Sequence, residues 1–265
     1  MSERAAVGPS ADVQHQARRH QLILRKLRTE GQVRAVDLAQ DLGVTHETIR
    51  KDLLILDGRG LLRKVHGGAL PVEALSYEPS VELRTALSAE KRRIAVAAAE
   101  LVPTEGAILL DAGSTTAALA ENFPTRSNLT VITNTLPIAL TLLAHPNLTV
   151  HTVGGRVRAT TMAEVDHWAL RALQEVRVDV AFLGTNAFSI EHGLSTPDDS
   201  EAAVKSAMVS AARRRILLAD HSKLGRTAVF RYADLASIDV LVTDTGMTKK
   251  DAQALERHGL EVIRA

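Results

Sequence analysis

The chain has 265 residues, enough for one small and one medium domain, each with its own core. It contains no cysteine, which excludes disulfide bonds, thiolate catalysis and cysteine-ligated zinc, and only 3% aromatic residues, which argues against a base-stacking surface for single strands or RNA. The formal net charge of +1 is unevenly distributed, because residues 1–70 hold 12 basic and 8 acidic side chains, whereas residues 71–265 hold 20 and 23.

The first residues predict neither a signal peptide nor a membrane anchor. Residues 1–15 carry acids and lack the apolar stretch of a signal peptide, so they are interpreted as a disordered lead. No run approaches the ~20 apolar residues that a membrane span requires. The sequence therefore predicts a cytoplasmic protein that contacts no membrane.

Residues 16–70 predict a helix-turn-helix followed by a short hairpin. A basic amphipathic helix comes first, with Leu22, Ile23 and Leu27 at helical spacing. A short helix is predicted over Val33–Val44, and Gly43 suits its end because glycine tolerates the left-handed conformation. The apolar positions predicted to cover one side of this short helix are Val36, Leu38, Ala39 and Leu42.

The next helix has the pattern of a recognition helix. Thr45 is a suitable N-cap, and Ile49, Leu53 and Leu56 repeat at the spacing of an inward face. Gly58 and Gly60 end the helix, and Leu61–Val65 predicts a strand of a wing. The candidate DNA-binding residues on the helix and the wing are Thr45, His46, Glu47, Thr48, Arg50, Lys51, Arg63, Lys64 and His66. An ordinary helical hairpin with a solvated charged face is the alternative.

The remainder of the chain predicts an α/β domain with a doubly wound parallel sheet. Residues 71–90 are interpreted as a linker, and residues 91–265 alternate between short apolar runs and helical stretches. The predicted strands are Ala107–Leu110, Leu129–Ile132, Leu148–Val153, Val178–Leu183, Ile216–Ala219, Val240–Val242 and Leu260–Ile263. The predicted helices between them include Thr115–Asn122, Leu136–Ala144, Trp168–Val176, Ser200–Arg213 and Lys249–His258.

Small, polar or basic residues follow five of these strands. Ligands of such folds gather beyond the carboxyl ends of the strands, and free amides at a helix start bind phosphate. Any one of these segments taken alone is most simply a turn, but five at one edge favour a pocket. Its candidate residues are Asp111, Gly113, Ser114, Thr115, Thr116, Thr133, Asn134, Gly154, Gly155, Gly184, Asn186 and Lys223.

The run from Arg19 to Leu70 resembles the amino-terminal signature of the DeoR/GlpR family of bacterial transcription regulators. The motifs that carry the resemblance are Thr48-Ile49-Arg50-Lys51-Asp52-Leu53 and Arg63-Lys64-Val65-His66-Gly67-Gly68-Ala69. Thr45 stands where serine is commoner in the family, and Lys51 where a second arginine is commoner. The resemblance implies that Arg18, Arg19, Arg63 and Lys64 position the DNA backbone while His46, Glu47, Arg50 and Lys51 reach base edges.

Residues 91–244 resemble the carboxy-terminal sensor domain of the same family, through Asp111-Ala112-Gly113-Ser114-Thr115-Thr116 and Asp220-His221-Ser222-Lys223. The resemblance implies a fold similar to phosphosugar isomerases and a phosphorylated sugar as effector. Gly113, Ser114, Thr115 and Lys223 would then bind the phosphate, and Asp111, Asn134, Asn186 and Glu201 the sugar hydroxyls.

The resemblance also implies which phosphosugar is the effector, and the small interface of one winged helix implies an oligomer. The segment from Gly154 to Leu173 departs from the commoner family form and resembles members described as fructose-operon repressors, which makes fructose 1-phosphate the first candidate effector. A homodimer or homotetramer on repeated half-sites of double-stranded operator DNA is expected. No cofactor is implied.

Several other features have plain structural interpretations. Glu201 and Lys205 are four apart on a predicted helix, and most such pairs are surface ion pairs, so Lys205 is not included in the site. Asp198 and Asp199 are interpreted as N-cap and dipole partners, Trp168 as a core residue and Arg213–Arg215 as the cationic end of a helix. The histidines show no zinc-binding spacing, so no metal site is predicted.

Two classes of function remain from the sequence. The first is a metabolite-controlled transcriptional repressor, which is not an enzyme. The second is a phosphosugar isomerase with a DNA-binding appendage. The sequence offers no evident acid/base pair for such a reaction, which favours the repressor.

Overall fold

The computed structural model describes residues 11–58, 61–65, 67–71, 78, 84, 87–125 and 128–265, with the backbone alone for residues 11–15, 28 and 63. The chain divides into two compact units, Met1–Tyr77 and Glu78–Ala265. The elements of the amino-terminal unit are α1 (Ala11–Glu30), β1 (Val33–Arg34), α2 (Ala35–Asp41), α3 (His46–Gly58), β2 (Arg63–Val65) and β3 (Gly68–Leu70).

The core of the amino-terminal unit confirms the helical spacings. Ile23 and Leu27 of α1 are buried, whereas Leu22, expected on the same side, is only half-buried and lies outside the core; Ile49, Leu53 and Leu56 form the buried face of α3. Gly43 has a φ of +63°, as its predicted helix-ending role requires. The apolar side chains therefore fix α3 by one face and leave the other to solvent.

The short hairpin after α3 is the predicted wing. β3 pairs antiparallel with both β1 and β2, so Ala69 lies opposite both Val33 and Lys64. A Cβ atom on Gly68 would lie 2.0 Å from the carbonyl oxygen of Val33, so this close approach requires glycine.

Two expectations for this unit are wrong. Residues 11–15, assigned from the sequence to a disordered lead, belong to α1, while residues 1–10 lie outside the described part. The second helix begins only at Ala35, because Val33 and Arg34 pair with β3. Val36, expected on the apolar side of that helix, is 55% exposed.

The carboxy-terminal unit is an α/β domain. Its helices are α4 (Ser88–Ala99), α5 (Ser114–Glu121), α6 (Leu136–Leu142), α7 (Asp166–Gln174), α8 (Asp199–Ala211) and α9 (Lys249–Glu256). Its strands are β4 (Glu105–Leu110), β5 (Asn128–Thr133), β6 (Leu148–Thr152), β7 (Arg156–Val157), β8 (Glu164–Val165), β9 (Val178–Gly184), β10 (Ala187–Ser189), β11 (Gly193–Thr196), β12 (Ala212–Leu218), β13 (Phe230–Ala233), β14 (Val240–Thr243) and β15 (Glu261–Arg264).

A parallel sheet in the order β15-β14-β12-β9-β4-β5-β6 forms the centre of this unit. Every predicted strand lies in it. Leu109 packs in one core cluster, and its neighbours Ile108 and Leu110 pack in another, because helices cover both faces of the sheet. The chain runs outward from β4 through β5 to β6 and then returns to β9 on the other side of β4. The topological switch point, where such folds bind ligands, therefore lies between β4 and β9.

Two expectations for this unit are wrong, and one small sheet was not predicted. Trp168, interpreted as core, is 66% exposed on α7. Arg213–Arg215 do not end a helix, because α8 ends at Ala211 and these arginines begin β12. The small antiparallel sheet of β10, β11 and β13 was not predicted. Asp198 is the N-cap of α8, as expected, and accepts from the Glu201 amide.

Candidate functional site

The exposed face of α3 is built by its capping and its buried stripe. The Thr45 hydroxyl accepts a hydrogen bond from the Thr48 amide at 3.2 Å, which confirms Thr45 as the N-cap. The apolar face holds α3 against the core, and the opposite face is polar. The exposed side chains on that face include His46, Glu47, Arg50 and Lys51.

Arg50 is held in place by a neighbour one turn away. Its Nε and Nη2 atoms donate to the two carboxylate oxygens of Glu47 at 2.7 and 2.8 Å. The hydrogen bonds from Arg50 lower the pKa of Glu47, which keeps that carboxylate charged. The pair presents a planar guanidinium and a carboxylate side by side, which are the donor and acceptor types that read base edges in a major groove.

A buried ion pair joins the recognition helix to α1. Asp52 is 1% exposed and accepts from Arg19 Nε at 2.5 Å and from His20 Nε2 at 2.8 Å. Burial raises the pKa of Asp52, but the hydrogen bonds from Arg19 and His20 outweigh it and lower the pKa overall. The guanidinium of Arg19, expected to position the DNA backbone, is engaged by Asp52, and a DNA contact of Arg19 stays a prediction. Arg18 is exposed.

The wing is tied to the end of α3. The Lys64 amide donates to Asp57 Oδ1 at 2.9 Å, and the Lys64 side chain is half-buried. The side chain of Arg63 and the whole of His66 lie outside the described residues, so their predicted DNA contacts stay predictions.

In the carboxy-terminal unit, the switch point is occupied by Asp111. This residue follows β4, is fully buried, and accepts from the Gly184 amide at the end of β9 at 2.9 Å. Its Oδ1 atom and the Thr133 hydroxyl at the end of the neighbouring β5 have no hydrogen-bond partner among the described residues. Buried polar atoms without partners are rare, and at a switch point they favour a ligand.

Lys205 is the main site residue that sequence reasoning missed. It is 4% exposed, and its ammonium forms an ion pair with Asp111 and a 3.1 Å hydrogen bond to the Gly184 carbonyl. Burial raises the pKa of Asp111, and the charge of Lys205 opposes that rise. The expected surface pair with Glu201 is therefore wrong, since both residues are buried and Lys205 pairs with Asp111 instead.

Glu201 belongs to a second polar cluster around Arg158. Arg158 donates from Nη1 to Glu201 Oε1 at 2.5 Å and to Glu78 Oε2 at 2.9 Å, and its Nη2 lies 3.2 Å from Asp198 Oδ2. The Thr161 hydroxyl also donates to Glu201. Burial raises the pKa of Glu201, but Lys205, Thr161 and Arg158 together hold it below its usual value.

Glu78 connects this cluster to Asn186. Its Oε1 accepts from Arg84 Nη2 at 2.7 Å and from Asn186 Nδ2 at 3.2 Å. Asn186 in turn accepts from the Thr196 hydroxyl at 3.0 Å. Arg158 lies in the segment from Gly154 to Leu173 and Glu78 in the predicted linker, and the sequence analysis singled out neither residue.

Lys223 lies in a concentration of positive charge beyond β12. Burial lowers the pKa of Lys223 to about 8, opposed by Asp220 and reinforced by Arg226, Lys91 and Arg84. The pKa values of Lys91 and Arg226 are lowered too, again chiefly by burial. Neither Lys223 nor Arg226 forms a hydrogen bond or ion pair with a described side chain. We call Arg84, Lys91, Lys223 and Arg226 the basic cluster.

The other predicted pocket residues lie in two places, the edge formed by the carboxyl ends of the parallel strands and a separate surface. Gly113 caps α5, so the amides of Ser114, Thr115 and Thr116 are its first-turn donors, and Thr116 Oγ1 also donates to the Gly113 carbonyl at 2.9 Å. Asn134 Oδ1 accepts from the Ala112 amide at 2.8 Å.

Hydrogen bonds through Glu164 connect Gly154 to Asn134 at the carboxyl-end edge of the sheet, whereas Gly155 lies at a separate surface. The Gly154 amide donates to Glu164 Oε2 at 2.7 Å, and the Glu164 amide donates to the Asn134 carbonyl at 2.6 Å. Gly155 lines a separate surface cavity of about 260 Å³ with Trp168.

Metal and membrane sites are not found among the described residues. No group of three or more His, Asp or Glu side chains in that part of the chain is placed to hold a metal ion. None of its helices combines the length and apolar character needed to cross a bilayer.

Comparison with known families decides the identity of both units. Residues 19–74 match the DeoR-like helix-turn-helix domain, and residues 87–245 match the DeoR C terminal sensor domain. The chain belongs to the DeoR family. This DeoR-family protein therefore combines a DNA-binding helix-turn-helix with a sensor domain, and the resemblance drawn from its motifs is confirmed.

Named relatives place this DeoR-family protein among transcriptional regulators. It is 34% identical to a putative aga operon transcriptional repressor of Escherichia coli O157:H7, over 92% of each chain. It is 28% identical to the glycerol-3-phosphate regulon repressor of Escherichia coli K12, over 93% of this chain and 98% of the relative. Among solved structures it is similar to ribose 5-phosphate isomerase A of Methanocaldococcus jannaschii, at 19% identity, a TM-score of 0.40 and coverage of 52% and 55% of the two chains.

Proposed function

We propose that this protein represses a sugar-metabolism operon and that a phosphorylated sugar bound at the switch-point edge of the sensor domain releases it from operator DNA. The observation that carries the proposal is the basic cluster, in which three buried or half-buried cations, Lys91, Lys223 and Arg226, face one carboxylate, Asp220, while the fourth, Arg84, pairs with Glu78. Like charges held together in this way are costly unless an anion joins them. A phosphate group, with about −1.5 to −2 charges at neutral pH, is such an anion.

Two sets of residues bind the two parts of the effector, its phosphate and its sugar hydroxyls. Lys223 and the first-turn amides of α5, at Ser114 and Thr115, supply donors for phosphate. Asn134, Asn186 and Glu201 supply the amide and carboxylate groups that hydrogen-bond to sugar hydroxyls, and the buried Asp111 adds an unpaired Oδ1. Fructose 1-phosphate is the first candidate, and glycerol 3-phosphate is suggested by the name of one relative.

On the DNA side, α3 enters the major groove with its exposed polar face. His46, Glu47, Arg50 and Lys51 read base edges, and Arg18, Arg63, Lys64 and His66 approach the phosphates. One winged helix buries a small interface, so two or more copies bind repeated half-sites. We place this assembly in the cytoplasm, where operator and sugar phosphates meet. An isomerase activity is not proposed, since Asp111, the carboxylate at the switch point, is neutralised by Lys205.

Replacing Arg50 with alanine tests the DNA-binding face. We expect a loss of about 1–3 kcal/mol in operator binding and relaxed preference at one base pair, because a bidentate donor is removed. The measurement is the dissociation constant for DNA upstream of the protein's own gene, and for point variants of it, at one fixed salt concentration. Arg257→Ala is the matched control, since it removes an exposed arginine from the sensor unit. Operator affinity equal to that of the parent in Arg50→Ala would place the recognition face elsewhere.

Replacing Lys223 with alanine tests the sensor. We expect unchanged operator affinity and loss of release by the sugar phosphate, because the half-buried cation that faces the phosphate is gone. In the parent, effector affinity should fall as pH rises through about 8, since the ammonium of Lys223 then loses its proton. The alanine variant should lack that dependence.

The control for this experiment is Lys249→Ala, which removes an exposed lysine at the start of α9. It should respond to effector as the parent does, with the same decline through pH 8. A Lys223→Ala variant that is released at the parent's effector concentration would remove Lys223 from the site.

A further inference from the structure

The Glu78 carboxylate is bound in the way that proteins bind external anions. It is 5% exposed, and it accepts from two arginines and one amide, at 2.7 Å from Arg84, 2.9 Å from Arg158 and 3.2 Å from Asn186. Two guanidinium groups converging on one carboxylate form a charge-assisted anion site, with a geometry that suits phosphate equally well. The protein's own chain thus occupies an anion site built by its sensor domain.

This anion site is continuous with the basic cluster. Arg84 belongs to both, since it binds Glu78 and its charge also lowers the pKa values of Lys91 and Lys223. Lys91 Nζ further donates to the Arg84 carbonyl at 2.7 Å. Glu78 therefore lies at the border of the region that attracts the effector's phosphate.

The charges around Arg158 oppose simultaneous binding of Glu78 and a phosphate. Arg158 already contacts Glu78, Glu201 and Asp198, three carboxylates around one guanidinium. An added dianion would meet their repulsion in a partly buried site, where charges are weakly screened. The repulsion is relieved if Glu78 withdraws, because Glu78 follows directly from the amino-terminal unit and is not part of a helix or strand.

We propose that Glu78 is an internal competitor of the effector, and that the effector's phosphate displaces it from Arg84 and Arg158. This proposal rests on the proposed function and adds its regulation. Glu78 is the first residue of the sensor unit, so the contacts that the phosphate replaces are those of the residue at which the chain enters that unit. A contact that differs between the effector-free and effector-bound states is what coupling between two sites requires.

The test uses the full chain and inorganic phosphate as probe. Glu78→Gln keeps the size of the side chain and removes its charge, so we expect its dissociation constant for phosphate to fall about tenfold relative to the parent, as for removal of one competing charge-assisted contact. The measurement is calorimetric titration at constant ionic strength, after thermal melting has shown that the variant folds. Glu256→Gln, an exposed carboxylate on α9, changes the net charge equally and should leave the dissociation constant within about twofold of the parent's.

A second variant covers the case in which Glu78→Gln does not fold. Glu78→Asp retains the charge but shortens its reach, so its phosphate affinity should lie between those of the parent and Glu78→Gln. Equal phosphate affinity in the parent and in whichever Glu78 variant folds would overturn the proposal, and so would the absence of phosphate binding in all of them. An unchanged phosphate affinity combined with weaker binding of fructose 1-phosphate would instead assign Glu78 to sugar hydroxyls, which also overturns it.

Release of operator DNA from the parent separates this proposal from the proposed function. If a sugar phosphate releases the parent but phosphate affinity is unchanged in Glu78→Gln, the competitor role fails and the repressor stands. If no sugar phosphate releases the parent, the effector class is wrong, whatever the calorimetry of Glu78→Gln shows.

Discussion

Replacing Lys205 with methionine is expected to destabilise the sensor unit by about 3–5 kcal/mol, the cost of removing one partner from a buried ion pair. Asp111 is fully buried and would lose the cation that neutralises it. Burial already raises the pKa of Asp111, and removal of the Lys205 charge, which opposes that rise, would raise it further. Denaturant unfolding followed by Trp168 fluorescence measures this effect, because the chain has one tryptophan and it lies on α7 of the sensor.

The double variant Asp111→Asn/Lys205→Met is the control for that prediction. It removes both charges, so it should recover most of the lost stability, and the two substitutions should be strongly non-additive. A Lys205→Met variant as stable as the parent would show that the pair is not buried as described. A double variant no more stable than the single one would show that packing, and not charge, sets the cost.

Replacing Asp52 with alanine is expected to cost about 2–4 kcal/mol and to abolish operator binding. Arg19 and the buried His20 would lose their shared acceptor, and the figure is set below that of a fully buried pair because Arg19 is 17% exposed. DNA binding fails as well because Asp52 fixes α3 against α1, and a recognition helix must be held at a defined angle to enter the groove. Thermal unfolding followed by circular dichroism, together with operator affinity, measures both effects.

Two further measurements test the role of Asp52: the pH dependence of folding stability and a control substitution at an exposed carboxylate. The folded-state pKa of Asp52 is lowered below its ordinary value of 3.8, so its contribution is complete above that pH and is lost as pH falls through the folded pKa. The parent should lose this part of its stability only in strongly acid solution, and the variant should lack that loss.

Asp37→Ala removes an exposed carboxylate from α2 and should change neither stability nor binding by more than about 0.5 kcal/mol. An Asp52→Ala variant that binds operator normally would contradict the anchoring role.

The sequence predicted what depends on local periodicity. The alternation of apolar runs and helices gave each strand of the parallel sheet, and the inward spacing of Ile49, Leu53 and Leu56 gave the orientation of the recognition helix. Turn and cap chemistry at Gly43 and Thr45 was equally readable, because a left-handed glycine and an N-cap hydroxyl act within a few residues.

What the sequence did not predict depends on contacts between distant segments. Lys205 was interpreted as a surface residue because its neighbour at helical spacing is Glu201, and only the packing of α8 on the sheet brings it to Asp111, 94 residues away. Glu78 and Asn186 meet across 108 residues. A buried charge pair has no local pattern, although the mainly apolar run Ala202–Val209 around Lys205 was a signal.

The exposed Trp168 marks the opposite error. A tryptophan in an amphipathic helix is usually buried, and α7 does bury Ala169 and Leu173 on its apolar face. Trp168 lies outside that face, and its ring contacts His167 edge-on at 5.9 Å. Residue type alone was therefore a poor guide where the helical position pointed outward.

The most direct test of the proposed function is release of the protein from its own upstream DNA by a panel of sugar phosphates and the corresponding unphosphorylated sugars. If the basic cluster binds the effector's phosphate, the protein should bind its operator DNA specifically and in a salt-sensitive way. One phosphorylated sugar, with fructose 1-phosphate tried first, should release the DNA, and the same sugar without phosphate should not. Specific binding that no sugar phosphate reverses would contradict the assigned effector.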